Sequence, residues 1–268
     1  MDPRISQHDI YDKNGVLLLS KGQHITDEMI LRLKRLGVFK PDQMIKLDND
    51  KQIILSPVIR DFGARKNIKD PKLLDKPAGI LSKIIFESKS EPWWIYVNAL
   101  SNYVAWLYTH SVDVAMISLM IANQLGYAED DLLNLGLGTL LHDVGKLLVP
   151  KSILEKPGAL SEAEMMIIKQ HCDLGISSIE RFDLPKAYTD IILYHHEKMD
   201  GSGYPRGIKG DEISQNIRIV MIADAIDGIT AYRPYKAALD LEGAVQELKR
   251  MGDKYPQEII TVVEETLL

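Results

Sequence analysis

An imidazole stands beside a carboxylate at His142-Asp143, at the end of the apolar run Leu132 to Leu141, and Lys146 follows within one helical turn. A nitrogen and an oxygen donor at one point suit a first-row transition metal better than Mg²⁺ or Ca²⁺. The dipeptide alone is weak evidence, and any one histidine in the chain reads most simply as a hydrogen-bonded core or surface residue. Their number changes the reading. Five of the seven histidines, His110, His142, His171, His195 and His196, fall on or at the ends of segments with apolar helical periodicity. Burying several imidazoles without strong partners is costly, and adjacent His195 and His196 would repel if both were charged, whereas a metal takes the neutral ring. With Asp143 and Asp224 the set holds too many donors for one tetrahedral zinc site. It is about right for two metals sharing a bridging carboxylate.

Holding such a set together takes several helices, and the sequence supplies them. Ile80 to Ser88 is a short amphipathic segment, and Trp93 to Leu125 reads as one long or two abutting core helices carrying His110. Leu132 to Leu141 leads into the His-Asp pair. Ser161 and Glu164 form a capping box that opens a helix expected to run through Phe182 and to carry His171. Pro185 starts a helix ending at His195-His196, and Ile213 to Ala231 carries Asp224 and Asp227. Final helices are expected over 241–251 and 256–268. Ahead of these, Ile10 to Leu19 reads as two strands around an Asn14-Gly15 turn, Thr26 caps a helix ending at Gly37, and a strand covers 43–47. Residues 48–78 are poorly periodic and rich in Pro and charge, which marks a connection. The expected organisation is therefore mainly α, with a small α+β domain over 1–75 and a helical domain that holds the five histidines over 76–268.

With 268 residues, 46% of them hydrophobic, the chain can bury a sizeable core. A net charge of −6 argues against a broadly basic nucleic-acid-binding surface, so an anionic ligand must be held locally. The single Cys172 excludes an intramolecular disulfide, and no apolar signal or membrane-spanning run is present. A cytoplasmic protein without membrane attachment or large nucleic-acid partner is expected.

His142-Asp143-Val144-Gly145-Lys146 resembles the signature of the HD superfamily, and His195-His196-Glu197 with Asp200-Gly201-Ser202-Gly203-Tyr204-Pro205 resembles the later elements of HD-GYP proteins. The resemblance extends over most of residues 92–268, through Lys156 to Leu160, the His171 segment, Ala223-Asp224 with Asp227, and Arg233-Pro234-Tyr235-Lys236. It implies an HD-superfamily helical domain with a binuclear iron or manganese centre that hydrolyses cyclic di-GMP. Position by position, it implies His110, His142, Asp143, His171, His195, His196 and Asp224 as metal ligands, with Asp143 as the bridge. Lys146 corresponds to the Lys near the scissile phosphate. Arg233 and Lys236 correspond to substrate-contacting cations, and Gly203, Tyr204 and Pro205 to the loop beside the site. Some members bind a third metal with a Glu one turn before the first His; here that position is Trp106, whose indole cannot ligate, which favours two metals.

The chemistry expected of this set is attack on phosphorus by a metal-bridging hydroxide, with the cations neutralising phosphoryl oxygens. Lys146 adds positive charge near the reacting phosphate, and Asp227 serves as an orienter or proton acceptor. Tyr204 stacks on a guanine or donates a hydrogen bond. Iron or manganese is expected, with zinc, nickel or cobalt compatible with the same donors. Two competing readings are a cyclic-dinucleotide-binding adaptor of low turnover and a hydrolase of another cyclic dinucleotide such as cyclic GMP-AMP. A signalling-protein partner or a homodimer would give the N-terminal domain a docking role.

Overall fold

The computed structural model describes residues 57–88, 91–231 and 239–268, with five short strands in the first 46 residues. The strands are β1 (Arg4–Ser6), β2 (Ile10–Tyr11), β3 (Leu17–Leu19), β4 (His24–Ile25) and β5 (Met44–Lys46). β1 lies between β4 and β5, antiparallel to both, and β2 pairs with β3 across the stretch holding Asn14-Gly15. The helix expected from Thr26 lies outside the described residues.

The rest is helical: α1 (Pro57–Arg60), α2 (Phe62–Lys66), α3 (Asp75–Glu87), α4 (Trp94–Tyr103), α5 (Ala105–Gln124), α6 (Glu129–Leu140), α7 (Lys151–Leu154), α8 (Glu162–Lys169), α9 (His171–Ile179), α10 (Lys186–Tyr194), α11 (Gln215–Thr230), α12 (Leu241–Arg250) and α13 (Gln257–Leu267). The axis of the fold is α5. Every residue from Ser111 to Ala122 is buried, as expected of a helix apolar on all sides, and α3, α6, α11 and α13 pack around it. Extended backbone at Val104 separates α4 from α5, so the long apolar stretch resolves into two helices.

One expected helix is also two. The capping box forms as read, with Ser161 Oγ accepting from the Glu164 N–H and the Glu164 carboxylate accepting from the Ser161 N–H, 2.7 Å away. The helix does not continue to Phe182, however. The Gln170 N–H bonds to the Ile167 carbonyl, three residues back, which tightens and ends α8, and α9 begins at His171.

Residues 57–74, placed before the domain boundary for want of periodicity, join the helical core: Ile59 and Phe62 are buried in the same cluster as Leu81, Leu119 and Ile121. Helices as short as α1 and α2 bury one or two side chains each, too few to give a repeating pattern. Among the described residues, no helix is long and apolar enough to cross a membrane.

Candidate metal centre

Three histidines are aimed by their own helices. The ring nitrogens Nδ1 of His142 and His171 lie 2.6 Å from the carbonyl oxygens of Thr139 and Ile168, one turn earlier, and Nδ1 of His195 lies 3.0 Å from that of Ile191. Each ring therefore donates Nδ1–H to the backbone and presents Nε2 as an acceptor, the tautomer that a metal requires. His142 can do this because α6 ends at Leu140 and the chain turns, with the His142 N–H bonding to the Thr139 carbonyl. The next turn, Val144–Leu148, presses against the start of α9. A Cβ on Gly145 would lie 1.9 Å from the His171 carbonyl oxygen, so the glycine of the motif is what lets Asp143 and His171 approach.

The acceptors converge. Asp143 is fully buried, with Oδ2 3.3 Å from His110 Nε2 and 3.4 Å from His142 Nε2, and Oδ1 3.4 Å from His171 Nε2 and 3.7 Å from His195 Nε2. Asp224 spans the set in the same manner, with Oδ1 3.3 Å from His110 Nε2 and Oδ2 3.6 Å from His196 Nδ1. His110 and His142 Nε2 are 3.3 Å apart, and those of His171 and His195 3.2 Å. Two donors about 2.1 Å from one ion, at right-angled or tetrahedral positions, lie roughly 3.0–3.4 Å apart. Two groups result, Asp143 with His171, His195 and His196, and His110 with His142 and Asp224, the donor atoms of each within 4.8 Å of one another. All seven donors expected from the sequence are thus brought together. Asp143 Oδ1 is buried without a hydrogen-bond donor, as befits a cation ligand.

The electrostatics agree. Burial pushes the pKa of His171 down to about 3 and also lowers those of His195 and His196, keeping these rings neutral near pH 7. For Asp143 burial works toward protonation, but Lys146 and His142 outweigh it and hold the carboxyl well below the ordinary range. Asp224 is likewise held low against burial, chiefly by His110 and His196. His110 goes the other way: burial opposes its charge, yet Asp143, Asp224 and Asp227 together push it well above the ordinary histidine value. A proton on His110 offsets the acidic cluster where a cation would otherwise do so.

Around the donors, Lys146 Nζ lies 2.5 Å from Asp143 Oδ2 and 5.7 Å from the centroid of Trp106. Trp106 is 40% exposed, whereas Trp93 and Trp94 are buried, and it meets the His110 ring edge-on at 6.0 Å. Tyr204 stacks on His196 with centroids 4.7 Å apart, and Lys169 Nζ stands 5.1 Å from the Tyr204 ring centre. Its loop is tied down by Glu197, whose Oε1 accepts from the N–H groups of Arg206 and Gly207 at 2.7 and 3.1 Å. Gly203 packs so closely on Glu197 that a Cβ would fall 2.4 Å from its Cα. Pro205 follows Tyr204 through a cis peptide bond. Asp227 Oδ2 lies 2.6 Å from His110 Nδ1, a position that fits the orienter of the two roles expected for it. Arg233 and Lys236 lie outside the described residues. Reading the sequence missed the roles of Glu197 and of Lys66, which contacts Asp227; Glu197 sits within the recognised motif, but nothing local marks Lys66.

The HD domain family model matches residues 95–259. A 3'3'-cGAMP-specific phosphodiesterase of Vibrio cholerae serotype O1 is 42% identical over 149 residues, covering 56% of this chain and 32% of the relative. A cyclic di-GMP phosphodiesterase of Thermotoga maritima is 38% identical over 168 residues, covering 61% of this chain and 46% of the relative. The chain thus matches less than half the length of these relatives. Among solved structures, an HDG"Y"P protein of Bdellovibrio bacteriovorus is similar with a TM-score of 0.55 over 98% of this chain and 93% of that one, at 18% identity, a likeness of fold alone.

Proposed function

The chain belongs to the HD domain family, and from that premise we propose that it is a metal-dependent phosphodiesterase that hydrolyses cyclic di-GMP, with 3'3'-cGAMP as the alternative substrate. The observation that carries this reading is the pair of donor groups joined by Asp143 and Asp224, one carboxylate oxygen turned toward each. The printed activities of the two relatives supply the substrate class. We place two cations, iron or manganese, in these groups, where they would lower the pKa of a water and offset charge on the phosphoryl oxygens.

The protein side chains have distinct tasks. His142, His171 and His195 offer preformed Nε2 donors that lose no orientational freedom on binding. The Lys146 ammonium, beside Asp143, would supply positive charge against the negative charge that develops on the reacting phosphate. Trp106 and Tyr204 offer aromatic faces beside the donors, suited to purine stacking. Arg233 and Lys236 would contact the substrate, and Gly203 and Pro205 shape the loop that presents Tyr204. The helical domain carries the activity in this reading, with residues 57–74 packed into its core, and the residues ahead of them dock a signalling partner or a second copy, in the cytoplasm.

The test is metal analysis of the purified protein alongside turnover of cyclic di-GMP and 3'3'-cGAMP under anaerobic conditions. Two bound metals and a linear or mononucleotide product are expected. Tight binding of either nucleotide by the metal-loaded protein without turnover would replace the enzyme by an adaptor. Much faster cleavage of 3'3'-cGAMP would keep the chemistry and change the substrate.

A further inference from the structure

The Nδ1 side of His110 leads out of the matched domain. Asp227 Oδ2 is 2.6 Å from that nitrogen, and Asp227 Oδ1 is 2.5 Å from Lys66 Nζ. Lys66 ends α2, upstream of residues 95–259, and is only 5% exposed. Its ammonium also donates to Thr230 Oγ1 at 3.0 Å and lies 3.5 Å from Asp113 Oδ2. Arg65 donates to both oxygens of Asp113. Asp113 is on α5, one turn after His110, and Asp227 and Thr230 are on α11 with Asp224. One lysine thus touches the two helices that carry His110 and Asp224.

We propose that Lys66 is a positioning residue for this centre: through Asp227 it fixes the tautomer and orientation of His110, so that α2 sets the affinity of the His110–His142–Asp224 position for its cation. A buried ammonium is costly unless paired, and docking α1 and α2 through Ile59 and Phe62 alone requires none. Carboxylates that accept the distal N–H of a metal-bound imidazole hold its ring in place and raise its basicity. Asp227 can do so only while it is itself held, and among the described residues its side-chain partners are His110 and Lys66. Movement of α2 would then change metal affinity without touching a ligand. The inference rests on the metal-binding reading of the seven donors, and the experiment separates the two.

Mn²⁺ affinity would be measured by chelator competition on the full chain for wild type, Lys66→Met, Lys66→Arg, Asp227→Asn and the Lys66→Met/Asp227→Asn double variant, with circular dichroism and metal-free melting curves as controls for folding. Lys66→Met should weaken one of two sites by about tenfold, within the range for lost outer-shell partners, and Lys66→Arg should recover most of it. The double variant should bind no more weakly than Asp227→Asn alone, because both changes break one path. A Lys66→Met protein that melts lower but binds Mn²⁺ within twofold of wild type would reduce Lys66 to a structural clamp and overturn the inference. So would losses that simply add in the double variant. If Lys66→Met does not fold, Lys66→Gln, which keeps a donor without the charge, carries the same test. A wild type that binds no metal would instead overturn the metal centre itself.

Discussion

The two halves of the metal centre are built by different means. On one side, His171 and His195 are oriented by backbone carbonyls of Ile168 and Ile191 within one turn of their own positions. On the other, His142 is aimed in the same way by the Thr139 carbonyl, but His110 is oriented by the side chain of Asp227, 117 residues away in sequence, and Asp227 by Lys66. In the first half these two rings are aimed as soon as their own helices form. The second exists only when α2, α5 and α11 have come together. A backbone carbonyl cannot be removed by mutation, so the local half should tolerate surrounding changes that the distributed half does not.

Asp143 belongs to both halves, and its loss should have the largest effect. Asp143→Ala should abolish binding of both metals and lower kcat/KM by about a thousandfold or more, since metals contribute several kcal/mol to charge stabilisation. Metal analysis and turnover together check this. Retention of one full equivalent would show that the halves are independent and Asp143 is not their bridge. Next in size is Lys146→Ala, which should leave metal content intact and lower kcat by on the order of a hundredfold with a smaller change in KM. Metal loss in that variant would place Lys146 in the architecture of the site instead. Asp227→Asn should weaken only the His110 side, by roughly ten- to a hundredfold in metal affinity. Equal weakening of both metals would erase the distinction between the halves.

The same contrast explains what could be read from the sequence. His142-Asp143 and His195-His196 announce themselves because their donors are adjacent, and all seven donors converge as expected. The capping box at Ser161 was equally legible, being a local hydrogen-bond pattern. The break before His171 was not, because it depends on how the chain tightens at Gln170 and on the ring of His171 taking the Ile168 carbonyl. Gly145 looked like a motif letter; the close approach to the His171 carbonyl that requires it is visible only in three dimensions. Lys66 lay in a stretch without periodicity, where a charge reads as solvated. Its burial comes from partners on α5 and α11, far away in sequence.

The smallest effect should be in proton counting. At pH 7 in the metal-free protein, burial keeps His171, His195 and His196 neutral, while Asp143, Asp224 and Asp227 keep His110 charged against its burial. The local half can thus take a cation without losing a proton, and the distributed half must release one. Calorimetry in two buffers of different ionisation enthalpy should show about one proton released per protein at full loading near pH 7. Affinity at the His110 side should rise with pH through 6.5, the ordinary histidine value, and level off once the raised His110 value is passed. The sign for folding runs opposite in the local half. Because the folded pKa of His171 is depressed to about 3, the unfolded chain binds a proton that the folded one refuses. The metal-free protein should therefore lose stability as pH falls from 6.5 toward 3, and saturating metal should shift that loss to lower pH by keeping the imidazoles engaged. Release of three or four protons at pH 7 would mean that the local imidazoles are charged before metal arrives, and the two halves would then differ in wiring but not in charge.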